Sequence, residues 1–289
     1  MALQIDRYQL RKGDTELAIF FPYPWGGERH NNEQLLKEIS LLTGGLVLGA
    51  QTPGTGRMYI DRATRKRLRP GPFAELAADY AGEVHEFLEA SGQPVRLLAA
   101  QSGRVALGAR MQLSEHRPFT HALLRDGVNL LAPERVRDGV RRLQAQPSEG
   151  EHGTMAEEHK STTHKLRDTR ARWHGRAEIL NHAELMCSTE SRAAVETLAR
   201  DIMTPLYHIT FANGITGTPG QQGRFNTLLV AMRAARGQGF MAPMEAATVP
   251  GNHADLQNPL LFHDHILYTL SLGDPRHDPP AGPPQVVPL

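Results

Sequence analysis

The sequence predicts an α/β protein: a mostly parallel sheet covered by helices on both faces, with a helical lid inserted near its middle. Short apolar runs of strand composition alternate with helical periodicity over 1–132 and again over 202–273, as strand–helix–strand units require. Between them, 133–201 is charged, poor in strand signals and helical in character, which reads as an insertion between two strands of one core. The length of 289 residues suits one such core with its insertion.

Taken in order, Tyr8-Gln-Leu and the run 17–21 are apolar and are separated by the polar cluster 11–14, so they read as an opening β-hairpin. Pro22-Tyr-Pro-Trp-Gly-Gly27 ends the second strand, because two prolines and two glycines cannot continue a ladder. Asn31 or Asn32 then caps a helix carrying Leu35, Leu36 and Ile39. Gly45-Leu-Val-Leu-Gly-Ala50 is a buried strand, followed by the turn-rich Thr52-Pro-Gly-Thr-Gly-Arg57. Pro72 opens a helix in which Phe73, Leu76, Ala77, Tyr80, Val84, Phe87 and Leu88 recur at three and four, with Glu75, Asp79, Glu83 and Glu86 left outside. Ser91-Gly92 stops it. The next strand, 95–100, breaks at Gln101-Ser102-Gly103 into a helix over 105–111, and 119–124 is a further strand ending at Arg125-Asp126-Gly127.

After the insertion, which has a turn-rich break at 146–150, the strand pattern resumes at 206–211 and ends in Ala212-Asn-Gly-Ile-Thr-Gly-Thr-Pro219. A helix over about 222–235, a strand near 246–249, Pro250-Gly-Asn-His253 and a helix over about 259–270 complete the core. The tail, 274–289, is so rich in proline that its composition predicts disorder.

Composition narrows the partners. The formal net charge is +1, from 32 basic and 31 acidic residues, so no overall field favours nucleic acid or an anionic membrane. A single cysteine, Cys187, excludes an internal disulfide. The opening residues MALQIDRYQLRKGD lack the apolar core of a secretory signal, and no apolar run approaches the roughly 20 residues that span a bilayer. A soluble cytoplasmic protein is the expectation.

The chemistry concentrates where strands end. Ser102 lies at a sharp strand-to-helix turn, which lifts a hydroxyl clear of the sheet while the helix start offers unpaired N–H groups. Small residues flank it at Ala100 and Gly103, but Arg104 stands where a second small residue is expected. Asp126 ends another strand, and in a parallel sheet both would lie at the carboxyl edge, where ligands collect.

Five pieces in order resemble the α/β-hydrolase superfamily. Tyr23-Pro-Trp-Gly-Gly27 is similar to its His-Gly-x-Gly-Gly loop, and Thr52-Pro-Gly-Thr-Gly-Arg57 to its Asp-x-Pro-Gly-x-Gly-x-Ser loop. Ala100-Gln-Ser-Gly-Arg104 stands at the nucleophile elbow, Gly251-Asn-His253 resembles the terminal Gly-x-His, and 206–211 with its Asn-Gly-x-Thr loop completes the set. The resemblance implies Ser102 as nucleophile, His253 as general base, and the N–H groups of Trp25 and Gly103 as the oxyanion hole. Tyr23 and Gln101 are the candidate substrate-binding side chains. For the acid, the usual seventh-strand position offers Asn213 and no carboxylate, so Asp126 after the sixth is the choice.

Arg104, Pro24 in place of a loop glycine and Asn213 depart from the family pattern. They leave more than one chemistry open on the same scaffold. The leading expectation is a serine hydrolase cleaving an ester, thioester or related acyl bond of a small or medium apolar substrate, possibly carrier-bound. The alternatives are a lyase or cyclase of natural-product tailoring, and a binding protein with an abandoned triad. No cofactor and no metal is called for: His152, His159, His164, His174 and His182 lack i, i+4 spacing and a completing acid or cysteine. The basic stretch Arg57, Arg62, Arg65, Lys66, Arg67 and Arg69 reads first as a solvated loop, and second as a landing site for an anionic carrier. Cys187 reads as a small lid hydrophobe.

Overall fold

The computed structural model describes residues 3–10, 15–23, 29–51, 73–127, 189–214, 216–236 and 242–272. Among them seven strands form one sheet in the order β1-β3-β2-β4-β5-β6-β7. The strands are β1 (Gln4–Tyr8), β2 (Leu17–Pro22), β3 (Leu46–Gln51), β4 (Val95–Gln101), β5 (His121–Arg125), β6 (Leu206–Asn213) and β7 (Met244–Asn252). The helices are α1 (Arg29–Thr43), α2 (Phe73–Ser91), α3 (Val105–Leu113), α4 (Thr189–Asp201), α5 (Pro219–Ala234) and α6 (Pro259–Ser271). All pairs are parallel except β1 with β3.

Two apolar clusters, one on each face, explain why the central strands read as unbroken apolar runs. On one face Leu46, Leu48, Leu98, Ala100, Ala122 and Leu124 meet buried residues of α2, α3, α4 and α5. On the other, Ile19, Phe21, Val47, Leu97, Ala99 and Leu123 meet α1 and α6. Alternate residues of each strand go to opposite faces, as the two-residue period of a pleated strand demands. Gly108 allows α3 to lie close on β4, since a Cβ there would stand 2.9 Å from the Ala100 Cβ.

Three expectations need correction. β1 and β2 do not form a hairpin: β3 lies between them, antiparallel to β1 and parallel to β2. The helix after β2 begins at Arg29, so Asn31 and Asn32 fall inside it and Asn32 is buried rather than an exposed cap. The segment assigned as an insertion, 133–201, ends in α4, whose Ala194, Val195, Leu198 and Ala199 are buried in the main core, so α4 belongs to the core layer. Its remainder, 133–188, lies outside the described residues, as do the basic stretch 57–69, Cys187, the lid histidines and the tail 274–289. Among the described residues, no helix is long and apolar enough to cross a membrane.

Candidate active site

The parallel register brings four strand ends to one edge. Gln101 pairs with Arg125 across β4 and β5, Arg125 pairs with Ile209 of β6, and Asn213 pairs with Asn252 at the end of β7. The next residue after three of these strands is Ser102, Asp126 or His253.

Ser102 has φ 56°, in the left-handed region that costs a non-glycine residue roughly 1 to 2 kcal/mol. It starts a 3-10 turn, Ser102–Arg104, that runs into α3. The turn has no side-chain cap, and the N–H of Gly103 is among the first of this helical run, where no preceding turn supplies an acceptor. Asp126 also has positive φ, 43°, and is fully buried. Its own N–H donates to the Ile209 carbonyl at 2.7 Å, which locks the end of β5 onto β6.

His253 bridges the two. Its Nε2 lies 3.2 Å from Ser102 Oγ and its Nδ1 lies 2.6 Å from Asp126 Oδ2. The His253 side chain is 20% exposed, so the relay runs from a buried carboxylate to a partly exposed ring. The chain turns at Gly251, with φ 125°, to deliver it. A capping box then fixes the 3-10 turn His253–Gln257: Asn252 Oδ1 accepts from the Ala254 N–H at 2.8 Å, and Asp255 Oδ2 accepts from the Asn252 N–H at 2.6 Å.

The other carboxylate oxygen, Asp126 Oδ1, accepts from Thr216 Oγ1 at 2.8 Å and from the Phe211 N–H at 3.4 Å. Donors on the oxygen not used by histidine hold the plane of the carboxylate and aim Oδ2 at the ring. Gly214 passes so close that an added Cβ would stand 2.4 Å from Oδ1. Asn213 is exposed, and the loop after it packs behind the Asp126 carboxylate through Gly214 and Thr216. Beneath lies His208, buried, with Nδ1 2.9 Å from Asn226 Oδ1. Burial pushes its pKa down to about 4, against the pull of Asn226 and Asp126, so it is neutral at pH 7.

The departure at Arg104 has a structural role. Its side chain is buried and its Nε donates to the Tyr23 carbonyl at 2.9 Å, while the Tyr23 N–H donates to the Ala50 carbonyl at 2.9 Å. The end of β2 is thereby pinned from both sides, immediately before 24–28. Trp25, the expected second oxyanion donor, lies outside the described residues. Burial lowers the Arg104 guanidinium only to about 10, so it keeps its charge at neutral pH.

Two candidate substrate contacts are corrected. The Tyr23 side chain is fully buried, and its hydroxyl donates to Asp6 Oδ2 at 2.7 Å and lies 3.3 Å from the Tyr8 hydroxyl. Gln101 is 1% exposed and its Oε1 accepts from Arg125 Nη1 at 3.0 Å. Neither side chain has open surface to offer a substrate. Thr216, Gly214, Arg104 and Arg125 are contributors that had no assigned role from sequence. The Asn-Gly-x-Thr loop was the available signal for the first two. Among the described residues, no three His, Cys, Asp or Glu side chains group as a metal site.

A mostly parallel sheet with helices on both faces, a serine at the turn after one central strand and a histidine after the last is the α/β-hydrolase arrangement, and this chain has the α/β-hydrolase fold. No family model and no curated protein matches the sequence, so the likeness is one of structure. An α/β hydrolase enzyme from a Medee basin deep-sea metagenome library is similar with TM-score 0.60 and 11% identity, over 96% of each chain. A bromoperoxidase from Bacillus anthracis has TM-score 0.60 and 14% identity, over 93% of this chain and 95% of its own. MenH from S. aureus has TM-score 0.56 and 11% identity, over 92% of this chain and 97% of its own.

Proposed function

We propose that the chain is a serine hydrolase that cleaves an ester, thioester or related acyl bond, with Ser102 as nucleophile, His253 as general base and Asp126 as the acid that orients it. The observation that carries this reading is the continuous relay Asp126–His253–Ser102, at 2.6 and 3.2 Å. A serine hydroxyl is a weak nucleophile until a base within reach takes its proton. Asp126 accepts from Nδ1–H, which leaves the lone pair of Nε2 facing Ser102 Oγ.

As Oγ bonds to the acyl carbon, its proton passes to Nε2 and the carbonyl π electrons move to oxygen. The Gly103 N–H at the head of the elbow meets that oxyanion. One such donor is worth roughly 3 to 4 kcal/mol of barrier. Collapse expels the alcohol or thiol, which takes the proton from Nε2 and leaves an acyl-Ser102. Water, deprotonated by His253, repeats the sequence and releases the acid. The imidazolium formed in each half is offset by the buried Asp126 carboxylate.

The test is hydrolysis of p-nitrophenyl esters of short and medium acyl chains by the purified chain. Ser102→Ala and His253→Ala are expected to lower turnover by at least about a thousandfold without loss of fold, in line with triad deletions generally. Equal turnover by Ser102→Ala and the unaltered protein would refute the mechanism.

A further inference from the structure

We infer that Arg125 is a positioning residue that fastens together, from beneath, the three chain segments that carry the triad. This deepens the serine-hydrolase reading and rests on it. Arg125 is covalently adjacent to Asp126. Its Nη1 donates to Gln101 Oε1 at 3.0 Å, and Gln101 is the residue before Ser102. The same Nη1 lies 3.3 Å from the carbonyl of Leu256, in the 3-10 turn that His253 begins. One guanidinium thus reaches the backbone neighbourhood of nucleophile, acid and base.

The surroundings show that this is not a surface cation folded back by chance. Arg125 is 0% exposed, and its central carbon stands 4.1 Å from the centre of the Phe262 ring on α6. The sheet register sets Arg125 directly opposite Gln101, and strand alternation points both to the α1–α6 face with Leu97, Ala99 and Leu123. His265, one turn beyond Phe262 on α6, is also fully buried, and burial together with the Arg125 charge keeps it neutral. Burial lowers the guanidinium to about 9 and Asp126 opposes that shift, so the cation persists at neutral pH.

An apolar side chain would fill this position at lower electrostatic cost, since burying a guanidinium without a paired carboxylate is unfavourable. Its named hydrogen bonds go to an amide and a main-chain carbonyl. What the arginine supplies and an apolar chain cannot is directional ties between separate loops. Strand-end loops are the least constrained parts of a sheet, whereas a triad tolerates little displacement. A tie in the buried layer below the site restrains all three without taking up exposed surface.

The experiment has two readouts on the whole chain. The first is the downfield proton resonance of the His253–Asp126 hydrogen bond, assigned by its absence in His253→Ala. The second is inactivation by a fluorophosphonate, resolved into limiting rate and half-saturating probe concentration. Arg125→Met is expected to weaken or abolish the resonance and to lower the limiting rate by about ten- to a hundredfold, the scale of a displacement near 1 Å, with half-saturation changed less than about twofold. Arg125→Lys, which keeps a charged donor, should recover part of both.

If Arg125→Met does not fold, Gln101→Met removes one tie alone and should show the same changes in smaller measure. An unchanged resonance with an unchanged limiting rate in a folded variant overturns the inference. Loss of the resonance on Arg125→Met in a protein whose unaltered form the probe never labels would support the positioning role and overturn the serine-hydrolase reading. Equal labelling of both proteins would do the reverse.

Discussion

Ser102 and Asp126 both hold positive φ, at 56° and 43°, although neither is glycine. Such strain concentrates at functional sites because the surrounding structure must impose it. Here hydrogen bonds and close packing at the ends of β4 and β5 do so. Gly214 completes the constraint. An alanine there would drive its Cβ to 2.4 Å from Asp126 Oδ1, and the carboxylate would have to swing away from His253. Gly214→Ala should therefore lower ester turnover by about a hundredfold, the cost of a misplaced catalytic group, while reducing stability by only about 1 to 3 kcal/mol. Turnover and denaturant midpoints measured on one preparation check both halves. At this scale Ser102 and His253 were legible because each sits in a short motif at a strand end. The burial of Tyr23 was missed in favour of a substrate role, although it shares the parity of Ile19 and Phe21, which face the core. The demand at Gly214 was hidden because its partner lies on another strand and only the folded register brings them together.

At the scale of elements, apolar runs gave the strands their places, yet not their neighbours. The polar cluster 11–14 signals a reversal of the chain, and nothing local says whether the flanking strands pair. β3 separates them because its apolar faces serve both clusters and leave it no place at the sheet edge. The same limit applies to Arg125, whose value depends on Gln101 lying opposite it. For the acid, the useful fact is which strand ends where. Asp126 after β5 already engages His253 Nδ1, while Asn213 at the end of β6 is exposed. Asn213→Asp should consequently change turnover by less than about twofold, as for a surface substitution away from the reacting groups. A large gain in rate would mean that the acid belongs on β6 after all.

At the scale of the whole molecule, two clusters of apolar side chains hold the sheet, and among the described residues two histidines, His208 on β6 and His265 on α6, are buried. His208 and His265 have pKa values pushed down to about 4 and about 2 by burial. Both lie below the unfolded value near 6.5, so between these limits the unfolded chain binds more protons and stability falls as pH falls. By pH 5 each histidine should remove about 2 kcal/mol of stability, a loss absent above about pH 7. Urea titrations at pH 7 and pH 5 measure it, and His265→Phe should remove its share of the slope. None of this was legible in sequence, where these histidines look like any others. Only burial distinguishes them. The relay that the fold assembles at its carboxyl edge is tested most directly by the mass of the intact chain after exposure to a fluorophosphonate, with the modified peptide sequenced. A single adduct on Ser102 is expected, formed about a thousandfold or more slowly in Asp126→Asn, where the acid no longer fixes the imidazole tautomer. A folded, unaltered protein that acquires no adduct at Ser102, or an Asp126→Asn variant labelled as fast as the parent, would contradict that relay.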